Sequence, residues 1–226
     1  MKPQTKHRHS VTLSDCELAT RCARGRVVII DDDTEILSAL AALLEFFGYA
    51  CETYSSATSY LQVVNYIRPL FPGPCCILCD VKMPELDGLE LQSRLAEFDD
   101  IPVLLMSGSS GVPEAVSAFH GGAVDFLTKP IHGDVLMAAV AKALAISTLR
   151  CNQRERQSTL ATRIASLTER ERDIAHRAAA GQTNPAIAAE LGIALRTVKL
   201  HRQRAMEKIG ANNIADLIRI ADEGKL

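Results

Sequence analysis

Between positions 26 and 146, short apolar runs alternate with amphipathic stretches. Residues 27–30 are β-branched without interruption, which is typical of a central strand that is buried on both faces. After them, Leu37, Leu40 and Leu44 recur at the spacing of one helical face. A buried strand followed by an amphipathic helix is the unit from which a parallel sheet covered by helices is built.

The same alternation continues to residue 146 and predicts five successive strand–helix units. The predicted strands cover residues 27–30, 50–54, 75–79, 103–106 and 124–127. The predicted helices cover about residues 37–47, 57–67, 89–98, 113–119 and 134–146. We therefore predict an α/β domain in which a five-stranded parallel sheet is doubly wound by helices.

The pattern changes after residue 164 to four short helices, predicted at about residues 168–180, 186–191, 195–209 and 214–221. Thr168 and Glu171 have the spacing of a capping box, and Asn184 before Pro185 reads as an N-cap with proline in the first helical position. Gly192 would turn the chain between the second and third helices. Two short helices joined in this way form a helix-turn-helix, whose second helix can enter the major groove of DNA.

These patterns divide the chain into an N-terminal extension (1–24), an α/β domain (25–146), a linker (147–164) and an all-α domain (165–226). The linker is polar but contains no proline or glycine, so we expect it to be helical. Residues 1–24 contain no apolar block of the kind found in secretory signals. The longest nearly apolar stretch, residues 135–146, is far shorter than the ~20 residues of a membrane helix. We expect a cytoplasmic protein without a membrane partner.

The net charge of −2 hides an asymmetry between the two domains. Residues 24–146 contain 7 lysine and arginine residues against 16 aspartate and glutamate residues, whereas residues 163–226 contain 11 against 8. A mildly basic C-terminal domain is suited to binding a polyanion, and an acidic first domain is suited to binding a cation or a basic surface.

Seven cysteines do not form a disulfide framework, because Cys51, Cys75, Cys76 and Cys79 lie within or beside apolar runs. No second Cys or His pair lies nearby with the spacing of a structural zinc site. We interpret Cys75, Cys76 and Cys79 as small buried apolar residues on a strand.

The chemistry is concentrated where the predicted strands end, because parallel strands place their carboxyl ends at one edge of a sheet. The side chains predicted at this edge are Asp31, Asp32, Asp80, Ser107 and Lys129. Crowded carboxylates raise one another's pKa unless a cation intervenes, and Mg²⁺ binds through one or two carboxylates plus waters and phosphate oxygens. The lysine and the serine would supply a positive charge and a hydrogen-bond donor for a phosphoryl group. The set indicates a site that accepts a phosphoryl group.

Four segments together resemble the receiver domain of two-component response regulators over residues 26–146. They are Ile-Asp-Asp-Asp at 30–33, Cys-Asp-Val-Lys-Met-Pro-Glu-Leu-Asp-Gly at 79–88, Met-Ser-Gly at 106–108 and Asp-Phe-Leu-Thr-Lys-Pro at 125–130. The resemblance implies a flavodoxin-like fold in which Asp80 is the phosphorylated residue.

The resemblance also assigns roles to the other residues of the site. It implies that Mg²⁺ is bound by Asp31, Asp32, Asp80 and the backbone carbonyl of Lys82. It implies further that Ser107 is the switch hydroxyl, that Phe126 is the rotating aromatic residue and that Lys129 is the partner of the phosphoryl group. Phe126 lacks the hydroxyl group of the tyrosine that is often found at its position.

Two alternatives concern the aspartates of the first strand. Asp33 is better explained as a helix N-terminal residue favoured by the helix dipole than as part of the site. Haloacid-dehalogenase-type phosphatases carry an Asp-x-Asp-x-Thr/Val pattern after their first strand, but here Asp31-x-Asp33 is followed by Glu35. That class of enzyme also leaves Asp80 without a function.

The C-terminal domain resembles the LuxR-type DNA-binding domain of the FixJ/NarL class over about residues 165–222. The matching segments are Leu-Thr-Glu-Arg-Glu at 167–171 and Leu-Gly-Ile-Ala-Leu-Arg-Thr-Val-Lys-Leu-His at 191–201. The resemblance places Lys199, Leu200 and Gln203 against base edges. The residues expected to contact phosphates instead are Arg196, Thr197, Arg202 and Arg204.

The recognition helix departs from the family pattern at two positions. Ala194 replaces the hydroxyl N-cap, a loss of roughly 1 kcal/mol if it is not compensated. Gln203 stands where a basic residue is common, and glutamine suits adenine. The opposite face should supply Val198, Ala205 and Ile209 to the core.

The resemblance implies a transcription regulator that is not an enzyme. A histidine kinase would phosphorylate Asp80 with Mg²⁺, the protein would form a homodimer when phosphorylated, and the dimer would bind double-stranded DNA. It could also remove its own phosphoryl group. The alternative is a receiver that serves as a phosphoryl sink or protein-binding adaptor, with little DNA-binding role.

Overall fold

A computed structural model describes residues 24–66, 73–96, 101–108 and 112–222. The predicted N-terminal extension, apart from Arg24, and the predicted helix ends at 67 and 97–98 lie outside these ranges. The chain divides into two compact units, Met1–Cys151 and Asn152–Leu226. Within the described residues, no helix combines the length and apolar character that a bilayer crossing requires.

The first unit contains the predicted five-stranded parallel sheet, with the strand order β2-β1-β3-β4-β5. The strands are β1 (Arg26–Ile30), β2 (Ala50–Tyr54), β3 (Cys75–Asp80), β4 (Val103–Ser107) and β5 (Asp125–Thr128). The helices between and after them are α1 (Thr34–Phe46), α2 (Ala57–Tyr66), α3 (Gly88–Ala96), α4 (Val112–His120) and α5 (Gly133–Ala165). The predicted fold class is confirmed.

The sheet has a hydrophobic core on each face, because successive residues of a strand point to opposite sides. Val27 and Ile29 of β1 pack with α1 and α5 on one face, whereas Val28 and Ile30 pack with α2, α3 and α4 on the other. Helices on both faces are what makes the unit doubly wound. The direction in which successive strands are added to the sheet reverses between β1 and β3, and ligands of such sheets bind at this switch point.

The three cysteines of β3 are buried apolar residues, as predicted. Cys75, Cys76 and Cys79 belong to the core of the sheet, and burial raises the pKa of the thiols of Cys76 and Cys79. Because a thiolate is the reactive form of cysteine, burial makes these two side chains chemically inert.

Helix α5 is longer than its predicted end at residue 146, since it runs without a break from Gly133 to Ala165. The predicted linker at 147–164 is therefore helical, and it continues the last helix of the α/β unit. No proline or glycine lies between residues 134 and 165 to end the helix.

The second unit packs four further helices around a core of its own. They are α6 (Glu169–Ala179), α7 (Asn184–Leu191), α8 (Leu195–Ile209) and α9 (Ile214–Asp222). Val198, Ala205 and Ile209 of α8 lie in this core, as predicted, and Ile164 from the end of α5 lies there with them.

The N-cap of α7 differs from the prediction by one residue. The side chain of Thr183, not that of Asn184, accepts the capping hydrogen bond, at 3.4 Å from the backbone N–H of Ala186. Pro185 is consequently the second helical residue. The carboxamide of Asn184 accepts a hydrogen bond from Arg202 instead, at 2.9 Å, a tertiary contact that the local sequence does not reveal.

Candidate phosphoryl-accepting site and nucleic-acid interface

The acidic edge of the sheet is organised by one ammonium group. Asp31 follows β1, Asp80 ends β3 and Lys129 follows β5, and both aspartates are almost fully buried. The Nζ atom of Lys129 donates to Oδ2 of Asp31 at 2.6 Å and lies 2.5 Å from Oδ1 of Asp80. Since both contacts involve one nitrogen, the two carboxylates share a single ammonium group.

The second oxygen of each carboxylate is held by a backbone amide. Oδ1 of Asp31 accepts from the N–H of Asp33 at 3.0 Å, and Oδ2 of Asp80 accepts from the N–H of Lys82 at 2.7 Å. These contacts lie within two residues of each aspartate, so the turns after β1 and β3 set the orientation of the carboxylates. The site is preorganised by its own loops.

Burial and ion pairing have opposite effects on the pKa values of Asp80 and Lys129. Burial raises the pKa of Asp80 above that of an ordinary aspartate, and the hydrogen bond from Lys129 offsets this only in part. Burial also disfavours the charge on Lys129, but the hydrogen bonds to Asp31 and Asp80 outweigh it and raise the pKa of Lys129. The lysine is therefore held as a cation beside a more basic carboxylate, the electrostatic combination of a nucleophilic site.

The remaining predicted residues of this site differ in exposure, and Phe126 pairs with Leu105 inside the sheet rather than at its edge. Ser107 ends β4 and is buried, and its backbone carbonyl accepts from the N–H of Lys129 at 2.8 Å. Phe126 is half-buried against the core on the α2–α4 face of the sheet. Asp32 is exposed, and Asp33 is the N-cap of α1, where its carboxylate accepts from two backbone N–H groups. The interpretation of Asp33 as a helix N-terminal residue is confirmed.

The donor set suits a hard divalent cation that keeps most of its water. Within the described residues, no three Asp, Glu, His or Cys side chains converge as a ready-made metal site. Asp31 and Asp80 nevertheless present closely placed carboxylate oxygens, and Asp32 is adjacent in sequence and open to solvent. Mg²⁺ is bound in this way, through one or two carboxylates with waters and phosphate oxygens completing the octahedron. The residues fit the predicted cofactor.

Gly88, the last residue of the 79–88 segment that resembles the receiver domain, packs against the backbone of this site. A Cβ atom at Gly88 would lie 2.3 Å from the carbonyl oxygen of Asp80, and the N–H of Gly88 donates to Val81 O at 2.9 Å. The first residue of α3 therefore rests directly on the backbone of the central aspartate. In the sequence, the Asp87-Gly88 pair after the strand was the feature that could have indicated this close contact. Asp87 caps α3, because its carboxylate accepts a hydrogen bond from the backbone N–H of Glu90 at 2.7 Å.

The predicted DNA-contacting residues occupy the outer face of α8. The exposed residues of this face are Arg196, Lys199, Leu200, Gln203 and Arg204, while Thr197 and Arg202 are half-buried. Helix α8 begins after Ala194, whose backbone is extended and whose side chain makes no capping hydrogen bond, as predicted. One face of α8 is thus basic and open, and the opposite face is apolar and packed.

Arg202 and Glu171 tie α8 to the helices before it. Arg202 donates to Asn184 of α7 at 2.9 Å, so this arginine also links the two helices of the helix-turn-helix. Glu171 forms the predicted capping box with Thr168 and also accepts from Lys208 of α8 at 2.6 Å. These hydrogen bonds lower the pKa of the buried Glu171 carboxyl to about 2, the bond from Lys208 most strongly. The capping box of α6 is thereby linked to α8 through Lys208.

Comparison with known proteins assigns both units. The family model of the response regulator receiver domain matches residues 27–141, and the model of the bacterial regulatory proteins of the luxR family matches residues 165–221. The response regulator protein TodT of Pseudomonas putida is 36% identical over 201 residues, which cover 88% of this chain and 86% of TodT. The transcriptional regulatory protein FixJ of Bradyrhizobium diazoefficiens is 35% identical over 201 residues, covering 88% and 95% of the two chains.

Solved structures agree with this assignment. The response regulator StyR is similar with a TM-score of 0.76 and 33% sequence identity, over 88% of this chain and 98% of StyR. Full-length FixJ from B. japonicum is similar with a TM-score of 0.52 and 35% identity, over 89% and 98% of the chains. The chain therefore belongs to the two-component response regulators of the FixJ type, in which a receiver domain is followed by a LuxR-type DNA-binding domain.

Proposed function

We propose that this protein accepts a phosphoryl group on Asp80 from a histidine kinase and, in that state, binds DNA as a dimer to regulate transcription. The observation that carries the proposal is the position of the Lys129 ammonium, within hydrogen-bonding distance of both Asp31 and Asp80 at the switch point of the sheet. This contact brings one ammonium group close to two carboxylates, an arrangement that would suit a nucleophilic oxygen on Asp80.

The chemistry of the transfer follows from this arrangement. An oxygen of Asp80 would attack the phosphorus atom while the bond from phosphorus to the kinase histidine breaks. Lys129 would contact the transferred oxygens, and the N–H of Lys82 would remain beside the carboxylate. Mg²⁺, held by Asp31, Asp32 and Asp80 with the carbonyl of Lys82, would neutralise charge on the phosphoryl oxygens when bound.

The protein would accept a phosphoryl group rather than turn over a substrate, so we do not propose an enzyme. Hydrolysis of the acyl phosphate at Asp80 would return the protein to its first state. This chemistry would take place in the cytoplasm, where the kinase domain and the DNA are both accessible.

Phosphorylation would act on a surface formed by α4, β5 and α5. The phosphorylated side chain carries a charge of roughly −2, and the hydroxyl of Ser107 would move toward it while Phe126 rotates inward. Val116 and Phe119 of α4 are large apolar side chains that are about half exposed, at 47% and 53%. An apolar patch on the switching helix supports dimerisation through this surface.

Dimerisation would present two α8 helices to two half-sites on DNA. Lys199, Leu200 and Gln203 would read base edges, and Arg196, Thr197, Arg202 and Arg204 would hold the phosphates. The arginine contacts would make the affinity depend strongly on salt concentration.

The receiver chemistry is tested by intact mass after incubation with acetyl phosphate and Mg²⁺. We expect one phosphoryl group on the wild type and none on Asp80→Ala, while Asp134→Ala, an exposed aspartate in the first turn of α5, should be phosphorylated normally. Phosphorylation of Asp80→Ala to the wild-type extent would refute the assignment of the phosphorylated residue.

The DNA-binding step needs a separate measurement on the phosphorylated protein. Lys199→Ala should lose most of its affinity for DNA in a gel-shift assay, whereas Lys142→Ala, an exposed lysine of the receiver domain, should not. Equal affinity of the wild type and Lys199→Ala would favour the alternative of a phosphoryl sink or adaptor. DNA affinity unchanged by phosphorylation, or by Asp80→Asn, would contradict the switching step.

A further inference from the structure

An exposed hydrogen bond on α8 joins a carboxamide to a carboxylate. Nε2 of Gln203 donates to Oε1 of Glu207 at 2.8 Å, and both side chains are exposed. Lys199, Gln203 and Glu207 are spaced four residues apart, so they form one stripe along the outer face of the helix. A carboxylate in this stripe is unexpected on a surface that faces a polyanion.

The carboxylate determines which way the carboxamide points. An ionised Glu207 can only accept hydrogen bonds, so the amino group of Gln203 must face Glu207 and the carbonyl oxygen must face away from it. One N–H of Gln203 is used by this contact. The carboxamide then offers one remaining N–H donor and one carbonyl acceptor, side by side.

This remaining pair is complementary to one purine in the major groove. Adenine presents the N7 acceptor beside the N6 amino donor, whereas guanine presents two acceptors, N7 and O6. With its amino group on the N7 side, a carboxamide held in this orientation satisfies both groups of adenine. Against guanine, its carbonyl oxygen would face O6, and two acceptors would be left without a donor between them.

We propose that Glu207 is a positioning residue that orients Gln203 and thereby sets a preference for adenine over guanine at the base pair that Gln203 contacts. The inference rests on the proposed function, in which α8 reads the major groove, and it adds a residue outside the set expected to touch DNA. It also explains why an acid is compatible with this face: its negative charge weakens the attraction to phosphates but selects one base.

A purely structural role for the same pair is the competing explanation. Side chains four residues apart on a helix commonly form hydrogen bonds that stabilise the helix slightly, with or without a ligand. Such a role would change thermal stability but would leave the relative affinity for two DNA sequences unchanged. The ratio of affinities is therefore the decisive measurement.

The experiment uses the full-length phosphorylated protein and DNA sites selected from a randomised pool. The base pair read by Gln203 is the position at which Gln203→Ala loses the sequence preference that the wild type shows. Affinities are then measured for the selected site and for the same site with adenine replaced by guanine at that position. For the wild type we expect a ratio of roughly tenfold in favour of adenine, the usual discrimination of a bidentate contact.

Two substitutions of Glu207 separate orientation from charge. Glu207→Ala removes the acceptor and should reduce the ratio to about threefold or less, because the freed carboxamide can turn over. Glu207→Gln keeps an acceptor oxygen but adds a donor, so it restrains the carboxamide less strictly and should give a ratio between those of Glu207→Ala and the wild type. Both remove the negative charge, so both should bind the selected site more tightly, and circular dichroism should show both to be folded.

The outcomes distinguish this inference from the function on which it rests. A ratio that survives in Glu207→Ala, or a wild-type preference for guanine, would overturn the role of Glu207 while leaving DNA binding intact. A wild-type protein that selects no sequence from the pool would overturn the proposed DNA-binding function, and the inference with it.

Discussion

Replacing Gly88 by alanine should damage the phosphoryl-accepting site without changing any of its functional groups. The new Cβ atom would lie 2.3 Å from the carbonyl oxygen of Asp80 and 3.1 Å from both the carbonyl carbon of Asp80 and the Cα of Val81. All three are backbone atoms, so no side chain can rotate away. Either the start of α3 or the end of β3 must move.

The size of the effect follows from these distances. Cβ atoms essentially never approach other heavy atoms closer than 3.0 Å, so the displacement is at least about 0.7 Å, the difference between the two distances. Overpacking of this kind costs about 1–3 kcal/mol of unfolding free energy, which lowers the melting temperature by roughly 4–12 °C. A misplacement approaching 1 Å at a reacting group costs up to about 10²-fold in rate. We therefore expect phosphorylation of Asp80 to be slowed by about ten- to a hundredfold.

The assay is a time course of intact mass with acetyl phosphate and Mg²⁺, together with thermal unfolding of the same samples. The matched control is Gly133→Ala, which also changes the first residue of a helix, but there the nearest atom to the new Cβ is the Cδ2 of Leu43 at 3.9 Å. The control should react and melt like the wild type. Wild-type phosphorylation and stability in Gly88→Ala would refute the idea that this glycine supports the backbone of Asp80.

Three further predictions concern charge and capping. Lys129→Met should slow phosphorylation by about 10²–10³-fold in the intact-mass assay, since it removes the cation from two buried carboxylates; a normal rate would rule out the lysine as the partner of the phosphoryl group. The lowered pKa of Glu171 stabilises the fold above pH 4.5, and this contribution is lost as the pH falls toward about 2. The difference in melting temperature between the wild type and Glu171→Gln should therefore shrink across that range, and a constant difference would contradict the pairing with Lys208. Ala194→Ser should raise the stability of the DNA-binding domain by about 1 kcal/mol in chemical denaturation, because it supplies the missing N-cap of α8; no gain would mean that the cap is already compensated.

The helices and strands of this protein were predictable from the sequence because their apolar residues recur at a regular spacing. Strand β2 and helix α8 begin and end at the predicted residues, since alternating or helical spacing of apolar side chains reports the backbone conformation directly. The burial of Val198 and Ala205 follows from the same spacing. Parallel topology then places Asp31, Asp80 and Lys129 at one edge before any distance is known.

The tertiary structure decided how these groups meet. The ion pair between Asp31 and Lys129 spans 98 residues of sequence, and its length depends on strand register and twist, which no local pattern encodes. Contacts between distant segments also explain Gly88 and Asn184. The end of β3 packs against Gly88 and leaves no room there for a side chain, and Asn184 accepts a hydrogen bond from Arg202 instead of capping α7.

The sequence by itself thus determined the type and order of the elements and the identity of the chemical groups at each strand end, because these depend on near neighbours along the chain. Only the tertiary structure decided which aspartates are buried, which atoms share one ammonium and where the backbone permits no side chain. Those properties arise from contacts between distant segments, and packing sets them to fractions of an ångström.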